Sequence, residues 1–124
     1  MTRSRASAKK AGTAFETLIA NYLDEHLDEA VERRARTGAQ DRGDLAGLRT
    51  SFGGREVGEC KDYGGQILAG PWIGETDIER RNDDAIAGTT FIKRRGTTDP
   101  GAQFVLMTVR DYIALKTGRR PEEA

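Results

Sequence analysis

Residues 43–61, GDLAGLRTSFGGREVGECK, hold two short strand-forming runs, 44–49 and 55–61, on either side of an SFGG turn at 51–54. Glycines supply the backbone freedom a tight reversal needs, so the two runs fold back on each other as a β-hairpin. Side chains alternate along a strand, which puts Val57, Glu59 and Lys61 on one face of the second run and Gly58 and Cys60 on the other. Folding about the turn brings Asp44, at the start of the first run, beside Glu59 across the pair. Two acids and a lysine then meet at one point.

Working outward, residues 13–35 carry Phe15, Leu18, Ile19, Tyr22, Leu23 and Val31 at helical spacing, with Asp24, Glu25, Asp28 and Glu29 on the other side. The pattern predicts one long amphipathic helix, broken by RTGAQDRGD at 36–44. After the hairpin, residues 62–71 contain three glycines and a proline and read as a loop. A second helix is predicted over 72–87 from the sparse apolar set Trp72, Ile73, Ile78, Ala85 and Ile86. Strands are predicted at 89–94 and 104–109, and a last helix over 111–117 stops at Gly118. This order implies an α/β domain with a small central mixed β-sheet flanked by helices, the second helix serving as a crossover between parallel strands. The expected division is a basic arm at 1–12, one domain at 13–118 and a tail at 119–124.

Composition narrows the functional classes. With 124 residues and 36% hydrophobic side chains the chain supports one compact domain. Twenty basic residues balance 20 acidic ones, so there is no global basic field and any nucleic-acid site must be local. The lone Cys60 excludes an intramolecular disulfide and makes a zinc site improbable. No apolar run approaches the roughly 20 residues of a membrane helix, and the first twelve residues lack the apolar centre of a secretion signal. The expectation is a soluble cytoplasmic protein, in a prokaryotic cell or a phage-infected host, with no membrane partner. His26, on the apolar arc of the first helix, reads as a packed or interface residue.

Mg²⁺ takes oxygen ligands and needs no all-protein cage, so Asp44, Glu59, the main-chain carbonyl of Cys60 and waters would suffice. Lys61 is placed to orient or help deprotonate an attacking water and to stabilise charge at a phosphate. Glu16, at the edge of the first helix's apolar arc, is a fourth candidate, able to lean toward the metal. For an isolated Glu-x-Lys the plainer reading is an exposed ion pair, and for Glu16 a solvated helix acid. Arg33, Arg34, Arg36 and Arg42 flank the approach to Asp44. They read either as phosphate contacts or as cations at a helix C-terminus, with Arg33, Arg36 and Arg42 taken as DNA contacts. Lys93, Arg94 and Arg95 carry the same ambiguity. Gln66 and Tyr63, in the glycine-rich loop, reach toward a phosphate or are simply loop polarity. Cys60 reads as a core thiol, and Trp72 as a packing or dimer anchor.

An acid on the first helix (Glu16, in Gly12-x-x-Phe15-Glu16), then Asp44, then Glu59-Cys60-Lys61 on the next strand resembles the signature of the PD-(D/E)XK nuclease superfamily. Within it, the layout is most similar to the small archaeal-type Holliday-junction resolvases, over residues 12–117. Gly43 stands where the superfamily usually has proline. The resemblance implies a restriction-endonuclease-like αβββαβ core, with Asp44 and Glu59 as metal ligands, Lys61 as the catalytic lysine and Glu16 as a metal-site acid. It implies a Mg²⁺-dependent, structure-selective DNA endonuclease, with Mn²⁺ able to substitute. The enzyme would act as a homodimer on four-way junctions and hydrolyse phosphodiester bonds with metal-activated water. Another nicking, flap or repair nuclease, or a non-catalytic DNA-binding subunit, is the alternative.

Overall fold

The computed structural model describes residues 4–27, 30–34 and 43–123. The chain runs α1 (Arg5–His26), β1 (Glu32–Arg33), β2 (Leu45–Ala46), β3 (Glu56–Lys61), α2 (Ala69–Asn82), β4 (Ala87–Ile92), β5 (Phe104–Leu106) and α3 (Val109–Thr117). The strands form one five-stranded sheet in the order β1-β2-β3-β4-β5. β3 and β4 are parallel, joined by the α2 crossover, and the other neighbouring pairs are antiparallel. The molecule is thus an α/β protein with a small mixed sheet flanked by helices, and its first six elements run αβββαβ.

The hairpin forms as its sequence dictates: Leu45 pairs with Gly58, and an isolated bridge joins Arg49 to Arg55 around the turn. On one side of the sheet α1 lays Phe15, Ile19 and Ala20 against Leu45, Leu48, Val31 and Phe91, with Cys60 packed against that cluster. Gly58 makes this packing possible, since a Cβ there would stand 2.8 Å from Leu48 Cδ1 and 2.9 Å from Leu45 Cδ1. α2 meets the sheet through Trp72, Thr76 and Glu79, spaced one and two turns apart and all buried. Thr76 Oγ1 lies 2.7 Å from Oγ1 of Thr90 on β4, whose six residues are all buried.

Several boundaries differ from the sequence expectation, each for a local reason. α1 begins at Arg5, capped by the Ser4 hydroxyl, so residues 5–12 are helical instead of forming an arm. It ends at His26: although Leu27 and Val31 continue the apolar spacing, Leu27 is exposed and the Asp24 carboxylate accepts the Val31 N–H at 3.0 Å. Val31 then fills the core as the residue leading into β1. His26 is exposed, stacked at a tilt on Tyr22. α2 takes in Ala69–Pro71, proline being tolerated in a first turn, and stops at Asn82, before the extended Ala85-Ile86-Ala87 run. Ile78, expected in the core, is 59% exposed.

Residues 119–123, expected as a tail, are also part of the domain. Arg120 is buried, donating to Asp111 Oδ1 at 2.6 Å, to the Ile86 carbonyl at 2.8 Å and to Glu122 at 3.0 Å. Removing one partner of a buried pair leaves the other charge stranded, so Arg120→Ala is expected to cost about 3–5 kcal/mol. The exposed neighbour Arg119→Ala should cost within about 0.5 kcal/mol. Urea unfolding midpoints of the two variants check this.

Candidate active site

The register Leu45 to Gly58 sets Asp44 opposite Glu59 where β2 begins. The Asp44 N–H donates to the Gly58 carbonyl at 2.8 Å, and the Asp44 carboxylate accepts the Cys60 N–H at 2.8 Å. These two bonds clamp the carboxylate onto the edge of β3. Main-chain groups alternate in direction along a strand. Gly58 O and Cys60 N–H point toward β2, and Lys61 O accepts from Lys93 on the β4 side. The Cys60 carbonyl therefore points to the same side as Asp44.

Glu59 is buried beneath α2 and shares side-chain hydrogen bonds with Asp44 and with Glu79. Its Oε2 atom is sealed from solvent and receives no hydrogen bond from an N–H group. Burial, followed by the two neighbouring carboxylates, pushes the Glu59 carboxyl far above the ordinary range of a carboxylic acid. Other buried acids are treated differently. Glu16 has Arg33 at 3.3 Å, Asp83 has Arg34 at 3.5 Å and Asp111 has Arg120 at 2.6 Å. Glu59 instead faces two acids, an arrangement that calls for a proton or a cation among them.

Lys61 extends over the same face, its side chain 13% exposed, with Nζ 2.6 Å from Glu75 Oε2. The ring centroids of Tyr63 and Trp72 are each 5.9 Å from Nζ. Burial pulls the ammonium down, but the Glu75 hydrogen bond and the charges of Glu59 and Glu75 outweigh it, and the pKa stands above its ordinary value. Lys61 is therefore a fixed cation, suited to orienting water and steadying phosphate charge and unsuited to deprotonating water.

The remaining expected residues divide. Glu16 is buried on the α1 side, ion-paired with Arg33. It lies within electrostatic reach of Cys60, whose thiol is pushed up by burial and then by Asp44, Glu59, Glu16 and Glu79. Arg33 is thus engaged with an acid of its own chain, and Arg36 and Arg42 lie outside the described residues. Gln66 is exposed and borders an open groove with Tyr63, Lys93, Arg94 and Arg95. Glu79 and Glu75 were not anticipated. Glu79 shares a buried helical stripe with Trp72 and Thr76, a stripe that its polarity hides in the sequence.

The chain matches no protein-family model, no curated protein and no solved structure. Among the described residues no three or more His, Cys, Asp and Glu side chains are arranged to hold a metal ion. The hairpin instead offers the pair Asp44 and Glu59, and one or two carboxylates are what Mg²⁺ takes from a protein. The enclosed Glu59 Oε2, facing acids instead of arginines, fits a hard divalent cation.

The raised Glu59 pKa has a consequence for the metal-free protein. Folding keeps a proton that the unfolded chain releases near the ordinary value of 4.5. The stabilisation is full below that pH and is lost as pH rises toward the folded pKa, by up to about 1.4 kcal/mol per unit. Glu59→Gln keeps the shape without the proton. In a chelator, its melting temperature should fall less between pH 6 and 9 than the wild type's, and at pH 9 it should be the more stable protein. Parallel slopes for the two proteins would show that Glu59 is already ionised.

Proposed function

We propose that the protein is a Mg²⁺-dependent DNA endonuclease of the kind its Glu16, Asp44 and Glu59-x-Lys61 motifs resemble, the PD-(D/E)XK nucleases. Its proposed substrate is a four-way junction, cut by a homodimer. The observation that carries this reading is Glu59, buried against Asp44 across the hairpin, with Lys61 two residues further along the same face. In this reading Asp44, Glu59 and the Cys60 carbonyl hold the cation. When bound, Mg²⁺ or Mn²⁺ supplies Lewis acidity toward phosphate and neutralises the carboxylates.

The chain's own residues do the rest. The Cys60 N–H fixes the Asp44 carboxylate, so its oxygens are presented without loss of rotamer freedom during the reaction. Lys61 Nζ, exchanging part of its contact with Glu75 for a phosphate oxygen or the attacking water, offsets the negative charge that grows as water adds to phosphorus and the bond to the leaving oxygen breaks. Glu79 positions Glu59 from α2. Two copies are required for paired incisions in symmetry-related strands.

Purified protein incubated with an end-labelled immobile four-way junction or a matched linear duplex, with Mg²⁺ or with EDTA, tests this. The junction should be cut only with metal. Asp44→Ala and Glu59→Ala should each lose at least about 10³-fold in rate, the several kcal/mol expected of a metal site. Lys61→Ala should lose about 10²- to 10³-fold. Equal cutting of both substrates would replace the junction by a broader nicking or repair role. Junction binding without cutting would leave a DNA-binding accessory protein, and undiminished cutting by Glu59→Ala would falsify the site assignment.

A further inference from the structure

On a chain of zero net charge, a DNA contact surface has to be local, and among the described residues many arginines are already committed. Arg33 is paired with Glu16, Arg34 and Arg55 with Asp83, Arg80 and Arg81 with Asp77, and Arg120 with Asp111. The turn after β4 is different. Lys93, Arg94 and Arg95 form one wall of an open groove whose other wall is the loop carrying Asp62, Tyr63 and Gln66. Three cations face one acid there.

This groove starts at the candidate active site. Asp62 follows Lys61 directly, and the Lys93 N–H donates to the Lys61 carbonyl at 2.9 Å, so the ends of the parallel strands β3 and β4 deliver both walls. The cations are not equivalent. Lys93 Nζ is held by the carbonyls of Arg94 and Thr97. Arg94 donates to the Ala102 carbonyl at 3.2 Å and stacks over Phe104, 4.8 Å from its centroid. Arg95 is exposed, and its ion-pair partner is absent among the described residues. Its stem crosses Gly65, where a Cβ would stand 2.8 Å from the Arg95 Cβ, so glycine lets the two walls close together at that point. Tyr63 sits at the groove's inner end, half exposed, with its ring 5.1 Å from Trp72 and 5.9 Å from Lys61 Nζ.

We infer that this groove seats the DNA strand next to the scissile phosphate. Arg95 contacts a neighbouring backbone phosphate, and Tyr63 stacks on a base that is not paired in a continuous duplex. This rests on the nuclease reading and specifies the strand's path through that site. A guanidinium with no ion pair among the described residues gives none of those up on meeting a phosphate. An exposed aromatic ring beside a cationic wall is the combination that binds unpaired nucleic acid without sequence readout.

The test measures equilibrium binding of a labelled four-way junction and a linear duplex to the Glu59→Gln protein in Mg²⁺ across a salt series. Arg95→Ala and Tyr63→Ala are each added to that background, with Arg119→Ala as the control. Arg95→Ala is expected to weaken binding on every sequence and to lower the slope of log affinity against log salt by about 0.7–0.9, one phosphate contact. Tyr63→Ala is expected to lose roughly 5- to 150-fold on the junction and little on the duplex. Arg119→Ala should change neither. If the wild type cuts DNA but Arg95→Ala matches the Arg119→Ala control, the groove is overturned and the nuclease reading stands. If Arg95→Ala lowers the slope but the wild type never cuts, the groove stands and the nuclease reading falls. A protein that binds no DNA overturns the inference.

Discussion

One pairing, Leu45 with Gly58, fixes the rest of the molecule. Strand side chains alternate, so a slip of one residue would turn Glu59 and Lys61 to the α1 side and drive Cys60 and Gly58 under α2. Two features hold the register. Gly58 is the only residue small enough to let Leu45 and Leu48 close over β3, and the Asp44 carboxylate caps the Cys60 N–H at the end of the ladder. The same carboxylate is thus a structural clamp and the partner of Glu59. The fold cannot form its hairpin correctly without assembling the acid pair.

That pair is costly in isolation. Buried carboxylates that face one another are stable only when a proton or a cation offsets them, and elsewhere the chain solves the problem with arginine. Glu16, Asp83 and Asp111 each have a guanidinium within 3.5 Å. At Glu59 the helix overhead contributes another acid, Glu79, while Lys61, two residues along the strand, is ion-paired with Glu75. A site optimised for the stability of the empty protein would have an arginine at position 79. Retaining an acid there makes sense if the site is completed by a ligand of positive charge, and this departure from the chain's own habit is a stronger argument than the Glu-x-Lys motif.

The hairpin and its three candidate side chains were legible because a period of two and a glycine turn are local signals, and they fix both face and neighbour. The α/β class followed from the order of elements. Helix ends were less legible, since Val31 continues an apolar spacing yet belongs to the chain leading into β1, where Asp24 captures its N–H. β1 has only two residues and makes sense only beside β2. Glu79 could not be found by hydrophobic pattern, because the buried stripe of α2 reads Trp72, Thr76, Glu79, and a polar residue turned inward looks in sequence like one turned outward. The ion pair of Arg33 was hidden for the complementary reason: its acid lies seventeen positions away on another element.

Taken together, the charges explain how a neutral chain can present a polar candidate site. Among the described residues many arginines pair with acids, which keeps the long-range field weak, while two regions of opposite sign lie close together, the carboxylates under α2 and the cations of the turn after β4. Both sit near the ends of β3 and β4, separated by Lys61. A phosphodiester strand carries negative charge along its whole length and would be repelled by the carboxylates alone. It can approach them only where a bound cation reverses the local sign and an adjoining wall is already positive. The parallel pairing of β3 with β4 supplies that adjacency, because it brings the loop after each strand to the same edge of the sheet.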